Sequence, residues 1–338
     1  MKKLIYGVAV LAVAAMMVAC GGKTANGISK GSKSKMDSLS YAMGVNIATD
    51  ISANMPEMKF DWNVLAAQAE KALFTTVKEG EADKDHEAAI EVLQSFFSQQ
   101  RPQRMNQFMQ DARAKDSLAM PNFAEYDIFA GDDAERKKVS EAYGCDLGTN
   151  LRSANIPMQT VWFVQGLTDV ADAKATMTNE KAMELIQTYF TVTLPQQNAE
   201  ASAKWLAQIE KQSGVQKTPS GLLYRIDRAG DETLKPKATD IVKVDYEGKL
   251  RTGKVFDSSY ARGEAIEFPL NQVIPGWTEG VQLVGKGGQI TLWIPAELGY
   301  GARGAGGDIG PNEALEFKVE LHEIKAVEAP EAAPAEQK

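Results

Sequence analysis

Few side chains in this sequence could act as nucleophiles, general bases or soft metal ligands. The 338 residues include only two cysteines, Cys20 and Cys145, and two histidines, His86 and His322. These counts exclude most Ser-His-Asp, Cys-His and multi-histidine metal sites. Two cysteines are also too few for a disulfide framework. We expect neither a cofactor nor a metal.

Two motifs in the C-terminal third suggest chemistry that their surroundings do not support. Ser258 and Ser259 are adjacent hydroxyls, but no neighbouring residue could activate them as nucleophiles. Residues 299–304 read GYGARG and match the dinucleotide motif G-x-G-x-x-G. That motif binds a nucleotide only where the loop opens a helix. Here the glycines continue through Pro311 into a strand pattern, so we reject nucleotide binding.

The charge balance limits the partners of the chain. The sequence has 37 basic and 45 acidic residues, a formal net charge of −8. Nucleic-acid binding normally needs a basic face, so we expect no nucleic-acid partner.

The N-terminus has the pattern of a bacterial lipoprotein. Lys2 and Lys3 precede an uncharged, mostly apolar segment that ends at Ala19, which is typical of a secretory signal peptide (residues 1–19). Small residues before Cys20 resemble a lipobox, so we expect lipidation of Cys20 and a membrane anchor. Residues 20–36 are rich in Gly, Ser and Lys and predict a flexible tether. By resemblance to other lipoproteins, we expect an outer-membrane location facing the periplasm.

The middle of the chain contains an internal repeat. AIEVLQSFFSQQRPQ from Ala89 aligns without gaps with AMELIQTYFTVTLPQ from Ala182. SYAMGVNIATDI from Ser40 aligns with SEAYGCDLGTNL from Ser140, and Trp62 and Trp162 keep the same spacing. A unit of about ninety residues is therefore duplicated.

Both copies have the apolar periodicity of amphipathic helices. We predict helical repeats at 37–118 and 132–214, with a linker at 119–131 between them. Asp61 and Thr178 are candidate N-caps, and Pro102 and Pro195 should interrupt their helices. We interpret the two tryptophans and Cys145 as core residues.

After Gly214 the apolar period changes from helical to two. The alternating residues predict half-buried antiparallel strands separated by glycine-rich turns; they are Leu222, Tyr224, Ile226, Val242, Val244, Tyr246, Ile290, Leu292, Ile294, Leu315, Phe317, Val319 and Leu321. A short helix near Trp277 could cover one face of this sheet. Residues 326–338 are rich in Pro, Ala and Glu and should be disordered.

Three segments of the C-terminal third resemble the FKBP-type prolyl isomerases. They are VDYEGKLRTGKVFDSS from Val244, QVIPGWTEGVQLVGKGG from Gln272 and PAELGYGARGAGGDIGPNEALEFKVEL from Pro295. The arrangement is similar to the macrophage-infectivity-potentiator subgroup, whose helical dimerisation domain precedes the isomerase. The resemblance implies an α+β chain, in which two tandem all-α repeats precede an antiparallel sheet wrapped around a short helix at residues 215–325.

The resemblance also implies a set of site residues. Trp277 corresponds to the floor of the proline pocket, and Asp257 and Tyr300 to its polar rim. The hydroxyl of Tyr300 and the backbone N–H of Ile274 are expected to face substrate carbonyls. The apolar walls and the tip of the overlying loop correspond to Tyr246, Phe256, Val273, Ile274, Phe317 and Ile309. Ile266 stands where the family often has an aromatic residue.

We expect an isomerase that assists the folding of exported, proline-containing proteins, with macrolide-type inhibitors binding in its pocket. The alternative is a holdase chaperone in which isomerisation is incidental. An adaptable apolar surface for that role could be formed by Met36, Met43, Met55, Met58, Met105 and Met109. The repeats should pair within one chain as a monomer, and a homodimer is the other possibility.

Overall fold

The chain divides into two units at Thr191 and Val192 in the computed structural model, which describes residues 27–77, 81–115, 118, 120–154 and 156–326. The predicted signal peptide, Cys20 and nearly all of the predicted disordered tail lie outside these residues. No helix among the described residues has the length and apolar character needed to cross a membrane.

The N-terminal unit is built from helices that occur twice in the same order. The first set is α1 (Ser38–Asn54), α2 (Trp62–Phe74), α3 (Lys84–Ser95) and α4 (Arg101–Lys115). The second set is α5 (Asp133–Ser153), α6 (Thr160–Ala171), α7 (Asn179–Thr188) and α8 (Leu194–Ile209), of which α8 belongs to the C-terminal unit. A short parallel pair, β1 (Ile28–Ser29) and β2 (Met158–Gln159), joins the two halves.

The predicted helix starts are confirmed. The carboxylate of Asp61 accepts the backbone N–H of Val64, and the hydroxyl of Thr178 accepts that of Lys181. π-helical turns at Phe96–Gln100 and Tyr189–Thr193 come just before the segments that contain Pro102 and Pro195. A proline lacks the N–H that continues an α-helical hydrogen-bond ladder, so equivalent irregularities occur in both copies.

Helices of one copy pack against helices of the other copy. Helix α1 packs on α6 and α7, and α2 packs on α5. Glycines allow these pairs to approach closely. A Cβ on Gly144 of α5 would lie 2.2 Å from the carbonyl oxygen of Leu65 on α2, and one on Gly44 of α1 would lie 2.2 Å from that of Phe163 on α6. Gly44 and Gly144 hold the same place in the repeat, and each meets the backbone of the second helix of the other copy.

The core of this unit includes residues from both copies. Tyr41, Leu65, Leu147 and Phe163 are at most 1% exposed. Cys145 is buried, as predicted, and Trp62 and Trp162 pack against the core from partly buried positions. Met43 and Met58 are also buried core residues, which removes them from the adaptable surface proposed for a holdase.

Parts of the predicted flexible tether and of the predicted linker contact the helices. Residues 27–36 of the predicted tether include β1, and the indole N–H of Trp162 lies 3.0 Å from the carbonyl oxygens of Ser32 and Lys35. The predicted linker buries Phe129, whose ring stacks on Phe96 at 5.5 Å. The composition of these segments does not indicate the contacts, because isolated apolar residues inside polar segments fill gaps between the helices.

The C-terminal unit contains an antiparallel sheet. Its strands are β3 (Gln216–Lys217), β4 (Leu223–Arg228), β5 (Ile241–Leu250), β6 (Val255–Ser258), β7 (Ile266–Pro269), β8 (Gln289–Ile294) and β9 (Leu315–Lys325). The order is β3-β4-β8-β9-β5-β6, and β7 also pairs with β5. Two short helices, α9 (Ser259–Arg262) and α10 (Pro275–Val281), complete the unit.

The alternating residues predicted for the sheet form its inner face. Val244, Leu292 and Leu321 are fully buried there, and α10 covers this face through Trp277 and Val281. A Cβ on Gly276 or Gly280 would lie 2.6 Å or 2.5 Å from side-chain atoms of Ile294 or Leu292. These two glycines therefore let α10 lie close against β8.

The predicted domain boundary lies between residues 214 and 215. Helix α8 lies before that boundary, yet Ile209 forms an apolar cluster with Leu223 and Trp293, and Trp205 and Leu206 pack against it. The compact C-terminal unit begins at Val192. The polar sequence of α8 concealed this docking because only one face of the helix is buried.

We expect Gly144→Ala to destabilise the helical unit by about 1–3 kcal/mol, because the added methyl group meets backbone atoms that cannot rotate away. The measurement is denaturant unfolding followed by circular dichroism at 222 nm. Glu141→Ala, at an exposed position of α5, is the matched control. Equal stability of the two variants would contradict the close contact between α5 and α2.

We also expect residues 27–338 to be monomeric. Each copy already covers the apolar face of the other within one chain, and the linker at residues 119–131 keeps the local concentration of the second copy at about millimolar. Sedimentation velocity across a hundredfold range of protein concentration should give one unchanging species. A dimer that persists at nanomolar protein would refute this expectation.

Candidate functional site

The inner face of the sheet holds an aromatic cluster centred on Trp277. Its ring lies edge-on to Tyr246, Phe317 and Phe268, at centroid separations of 5.1, 5.3 and 5.7 Å and interplanar angles of 83° to 87°. Edge-to-face contacts of this kind are favourable because the positive edge of one ring meets the negative face of another. Trp277 is 4% exposed, and its indole N–H has no hydrogen-bond partner among the described residues.

Backbone geometry holds Trp277 in this place. Pro275 begins α10, where its fixed φ suits a helix start and its missing N–H costs nothing. The carbonyl oxygen of Ile274 accepts the N–H groups of Trp277 and Thr278, at 2.9 and 3.1 Å. Val273 and Ile274 are partly buried against the same apolar cluster. The sequence VIPGW therefore combines a helix start with three residues predicted for the pocket, Val273, Ile274 and Trp277.

A second wall forms where β5, β6 and β9 meet. Phe256 lies edge-on to Phe317, with ring centroids 5.5 Å apart. A Cβ on Gly248 would lie 2.7 Å from both rings. Glycine is thus required at this position of β5 so that the two rings can approach each other.

The polar rim is a hydrogen-bonded group of three side chains. The hydroxyl of Tyr246 donates to Oδ2 of Asp257 at 2.5 Å, and the guanidinium of Arg262 donates to the other carboxylate oxygen. Arg262 also donates to the Tyr246 hydroxyl at 2.9 Å and lies 5.5 Å from the centre of that ring. The carboxylate is therefore held in one orientation beside the apolar pocket.

These contacts shift the pKa values of both acidic groups. Burial alone would raise the pKa of Asp257, but the hydrogen bonds from Tyr246 and Arg262 outweigh it and lower the pKa. Burial, together with the hydrogen bond to Asp257, raises the pKa of Tyr246 to about 12. At neutral pH the rim therefore holds an ionised carboxylate and a neutral phenol.

Behind this rim, Ser259 has a structural role. Its hydroxyl donates to Oδ1 of Asp245 at 2.6 Å and accepts the backbone N–H of Tyr246 at 2.9 Å. His322 contacts the other oxygen of Asp245 at 2.8 Å. Ser259 is fully buried and contacts the carboxylate rather than the imidazole, so this is no Ser-His-Asp nucleophile site. The group instead ties α9, which carries Arg262, to β5.

The loop between β8 and β9 supplies the remaining predicted residues. Tyr300 is 38% exposed, and burial and the Asp257 carboxylate both raise its pKa, which indicates that the two rim groups lie near each other. Ile309 is buried in the inner apolar cluster, and its backbone pairs with Ala305. A Cβ on Gly304 would lie 2.1 Å from the carbonyl oxygen of Ile309. Only glycine fits at position 304, where the two sides of the loop approach each other this closely.

The structure thus brings the predicted pocket residues into one region of the C-terminal unit. Two further residues were not predicted. Phe268 faces Trp277 and supplies the aromatic ring that Ile266 does not. The period-two pattern of β7 puts both residues on one face of the strand, so this pattern could have revealed the role of Phe268. Arg262 carried no motif signal, because its role depends on where α9 places it.

The arrangement suits binding of a compact apolar ring more than bond-making chemistry. The cluster around Trp277 is apolar, and the polar groups beside it are the Asp257 carboxylate, the Arg262 guanidinium and the hydroxyls of Tyr246 and Tyr300. No group of three or more potential metal ligands occurs among the described residues.

Comparison with protein-family models gives two matches. Residues 232–322 match the model "FKBP-type peptidyl-prolyl cis-trans isomerase". Residues 136–226 match "Domain amino terminal to FKBP-type peptidyl-prolyl isomerase". The second match begins within α5, covers α6 to α8 and ends within β4.

Curated relatives agree with these matches. The chain is 41% identical over 217 residues to a probable FKBP-type peptidyl-prolyl cis-trans isomerase FkpA from Neisseria meningitidis, covering 60% of this chain and 78% of the relative. It is 39% identical over 216 residues to a probable isomerase of the same type from Haemophilus influenzae, covering 58% and 89%. It is 35% identical over 202 residues to the outer membrane protein MIP of Legionella longbeachae, covering 56% and 86%.

We expect Asp257→Asn to lower the unfolding free energy of the C-terminal unit near neutral pH by at most about 1 kcal/mol, since the side chain is 40% exposed. The pKa of Asp257 is lower in the folded state than in the unfolded state. The carboxylate therefore contributes fully to the unfolding free energy at pH values above its unfolded pKa of about 3.9. This contribution is lost as the pH falls through the folded-state pKa. The difference between wild type and variant should therefore vanish in acid. Denaturant unfolding, followed by tryptophan fluorescence from pH 7 to pH 2.5, measures it. A difference that is independent of pH would show that the charge contributes nothing.

Proposed function

Because this chain belongs to the FKBP-type peptidyl-prolyl cis–trans isomerases, we propose that its reaction takes place in the aromatic pocket above Trp277. In this proposal the substrate's proline ring lies on the indole. Tyr246, Phe256, Val273, Ile274, Ile309 and Phe317 form the surrounding walls. The observation that carries the proposal is the T-shaped packing of Tyr246, Phe268 and Phe317 around Trp277, which gathers an apolar aromatic surface at one place on the inner face of the sheet.

Rotation of a prolyl amide needs no nucleophile and no base. Its barrier of about 18–20 kcal/mol comes from resonance across the C–N bond. The planar amide is strongly dipolar, whereas the half-rotated amide has lost that resonance and part of the dipole. An apolar pocket therefore disfavours the planar ground state more than the twisted transition state. This differential binding explains why an enzyme so poor in histidine and cysteine can catalyse the reaction.

The rim groups orient the substrate in this scheme. We assign the Tyr300 hydroxyl and the backbone N–H of Ile274 to substrate carbonyls on either side of the rotating bond. The Asp257 carboxylate already accepts hydrogen bonds from Tyr246 and Arg262. Asp257 therefore acts through its fixed negative field, which favours the altered charge distribution of the twisted amide.

The substrates we propose are exported polypeptides whose folding is limited by proline isomerisation, in the envelope of a bacterial cell. Two observations support this location: the lipobox-like sequence before Cys20, and the relative named outer membrane protein MIP. Macrolide-type inhibitors of the family are expected to compete for the same pocket.

Tyr300→Phe and Asp257→Ala should each lower kcat/KM about 2- to 10-fold, because one hydrogen bond or fixed charge contributes about 0.5–1.5 kcal/mol. The assay follows isomerisation of a peptide with an apolar residue before proline, using the chain from residue 27 onward. Tyr224→Phe is the matched control, because that hydroxyl bonds Gln216 on the exposed strand pair β3–β4. Full activity in both test variants would refute the site assignment.

A further inference from the structure

Helix α8 presents buried polar side chains to the loop that carries Tyr300. Asn198 and Ser202, one turn apart on the helix, are 7% and 5% exposed. The side-chain amide of Asn198 donates to the carbonyl oxygen of Pro311 at 2.9 Å. The hydroxyl of Ser202 donates to the carbonyl oxygen of Asn312 at 3.0 Å and accepts the N–H of Ala314 at 3.0 Å. Both side chains therefore bind one short segment, residues 311–314.

The segment they bind has a backbone conformation that needs support. Asn312 has φ +55°, in the left-handed region that side chains other than glycine seldom adopt. Its side-chain amide donates to the carbonyl oxygen of Pro195, on the first turn of α8, at 3.1 Å. A strained residue of this kind persists only where its surroundings hold it. Here α8 binds both the side chain of Asn312, through the carbonyl oxygen of Pro195, and its backbone carbonyl, through the hydroxyl of Ser202.

Asn312 is in turn bonded to the residue next to Tyr300. The N–H of Asn312 donates to the carbonyl oxygen of Gly301 at 2.9 Å, which closes the loop at its base. Within the loop, Ala305 and Ile309 exchange two backbone hydrogen bonds at 2.9 and 3.1 Å. The position of Tyr300 is thus linked through Gly301 and Asn312 to side chains of α8.

A charged pair ties the same segment to β5 and its following turn. Nε of Arg251 lies 3.1 Å from Oε1 of Glu313, whose carboxylate is buried, and burial raises the pKa of that carboxyl group. The guanidinium of Arg251 also donates to the side-chain oxygen of Asn198 at 3.3 Å. Asn198 therefore binds Pro311 at the base of the loop and also Arg251, whose guanidinium lies beside Glu313.

Helix α8 itself is docked firmly on the sheet. One turn beyond Ser202, Trp205, Leu206 and Ile209 pack with Leu223 and Trp293 on the face of the sheet opposite the pocket. The apolar half of the helix anchors it, and the polar half is left to bind the loop.

We infer that α8 is a working part of the isomerase, in which Asn198 and Ser202 are positioning residues that hold the β8–β9 loop so that Tyr300 stands at the pocket rim. This inference rests on the proposed function of that pocket. It extends the catalytic unit upstream of residue 215 and makes activity depend on the last helix of the second helical repeat.

The test is a double-mutant cycle between Ser202 and Tyr300, measured as kcat/KM for proline isomerisation. Ser202→Ala should lower kcat/KM by about 3- to 10-fold, as expected when a substrate-contacting group loses its fixed position. In a Tyr300→Phe background the same change should cost less than about 2-fold, because the hydroxyl that it positions is already absent. Ser202→Thr keeps the hydroxyl and should retain activity. Lys204→Ala, on the exposed face of α8, is the matched control.

Asn198→Ala provides a second, independent variant with the same expected pattern. Near-ultraviolet circular dichroism identifies any variant whose aromatic core has changed. If one of the two positions, Ser202 or Asn198, gives such a variant, the conclusion is drawn from the other. Additive losses in the cycle, or an equal loss in Lys204→Ala, would show that α8 acts only on general stability and would overturn the inference. If kcat/KM falls in Tyr300→Phe but not in Ser202→Ala or Asn198→Ala, only the role of α8 is refuted and the proposed function stands. Full activity in both Tyr300→Phe and Asp257→Ala refutes the site assignment of the proposed function, which is a different outcome from failure of the role of α8.

Discussion

The indole of Trp277 is the contact on which the C-terminal unit depends. It covers the inner face of the sheet, and Tyr246, Phe268 and Phe317 pack edge-on around it. The same rings would form the apolar surface that receives a proline. The core and the pocket therefore share their residues, and the pocket is as rigid as a packed interior. A reaction that relies on differential binding of two amide geometries needs such rigidity, because an adaptable pocket would accommodate both equally well.

The polar groups around this apolar floor are held by several separate elements. Asp257 lies on β6, Tyr246 on β5 and Arg262 on α9, and the buried hydroxyl of Ser259 keeps α9 against β5. Tyr300 lies on a long loop whose base is closed by Asn312. Loops are usually the mobile parts of a fold. In this unit the loop is bonded to a docked helix, which explains how a loop residue can keep a defined place at the rim.

The helical unit follows a related principle of close contact. Gly44 and Gly144 occupy equivalent places in the two copies, and each lets its helix meet the backbone of a helix from the other copy. A single copy could not cover its own apolar face. The first copy's helix α4 carries Met105 and Met109 at the places where the second copy's α8 has Asn198 and Ser202. Only the second copy has the polar pair that binds the isomerase loop.

The sequence by itself determined the features that are local or periodic. The period-two strands, the caps at Asp61 and Thr178, the interruptions near Pro102 and Pro195, and the ordered motif around Trp277 all follow from short-range patterns. Tertiary structure alone decided which distant residues meet. Arg262 reaches Asp257 because α9 turns it back, Phe129 fills a gap in the helical core, and Ser202 binds a segment more than a hundred residues away. Such contacts leave no local pattern, because each side chain's partner is chosen by the packing of whole elements.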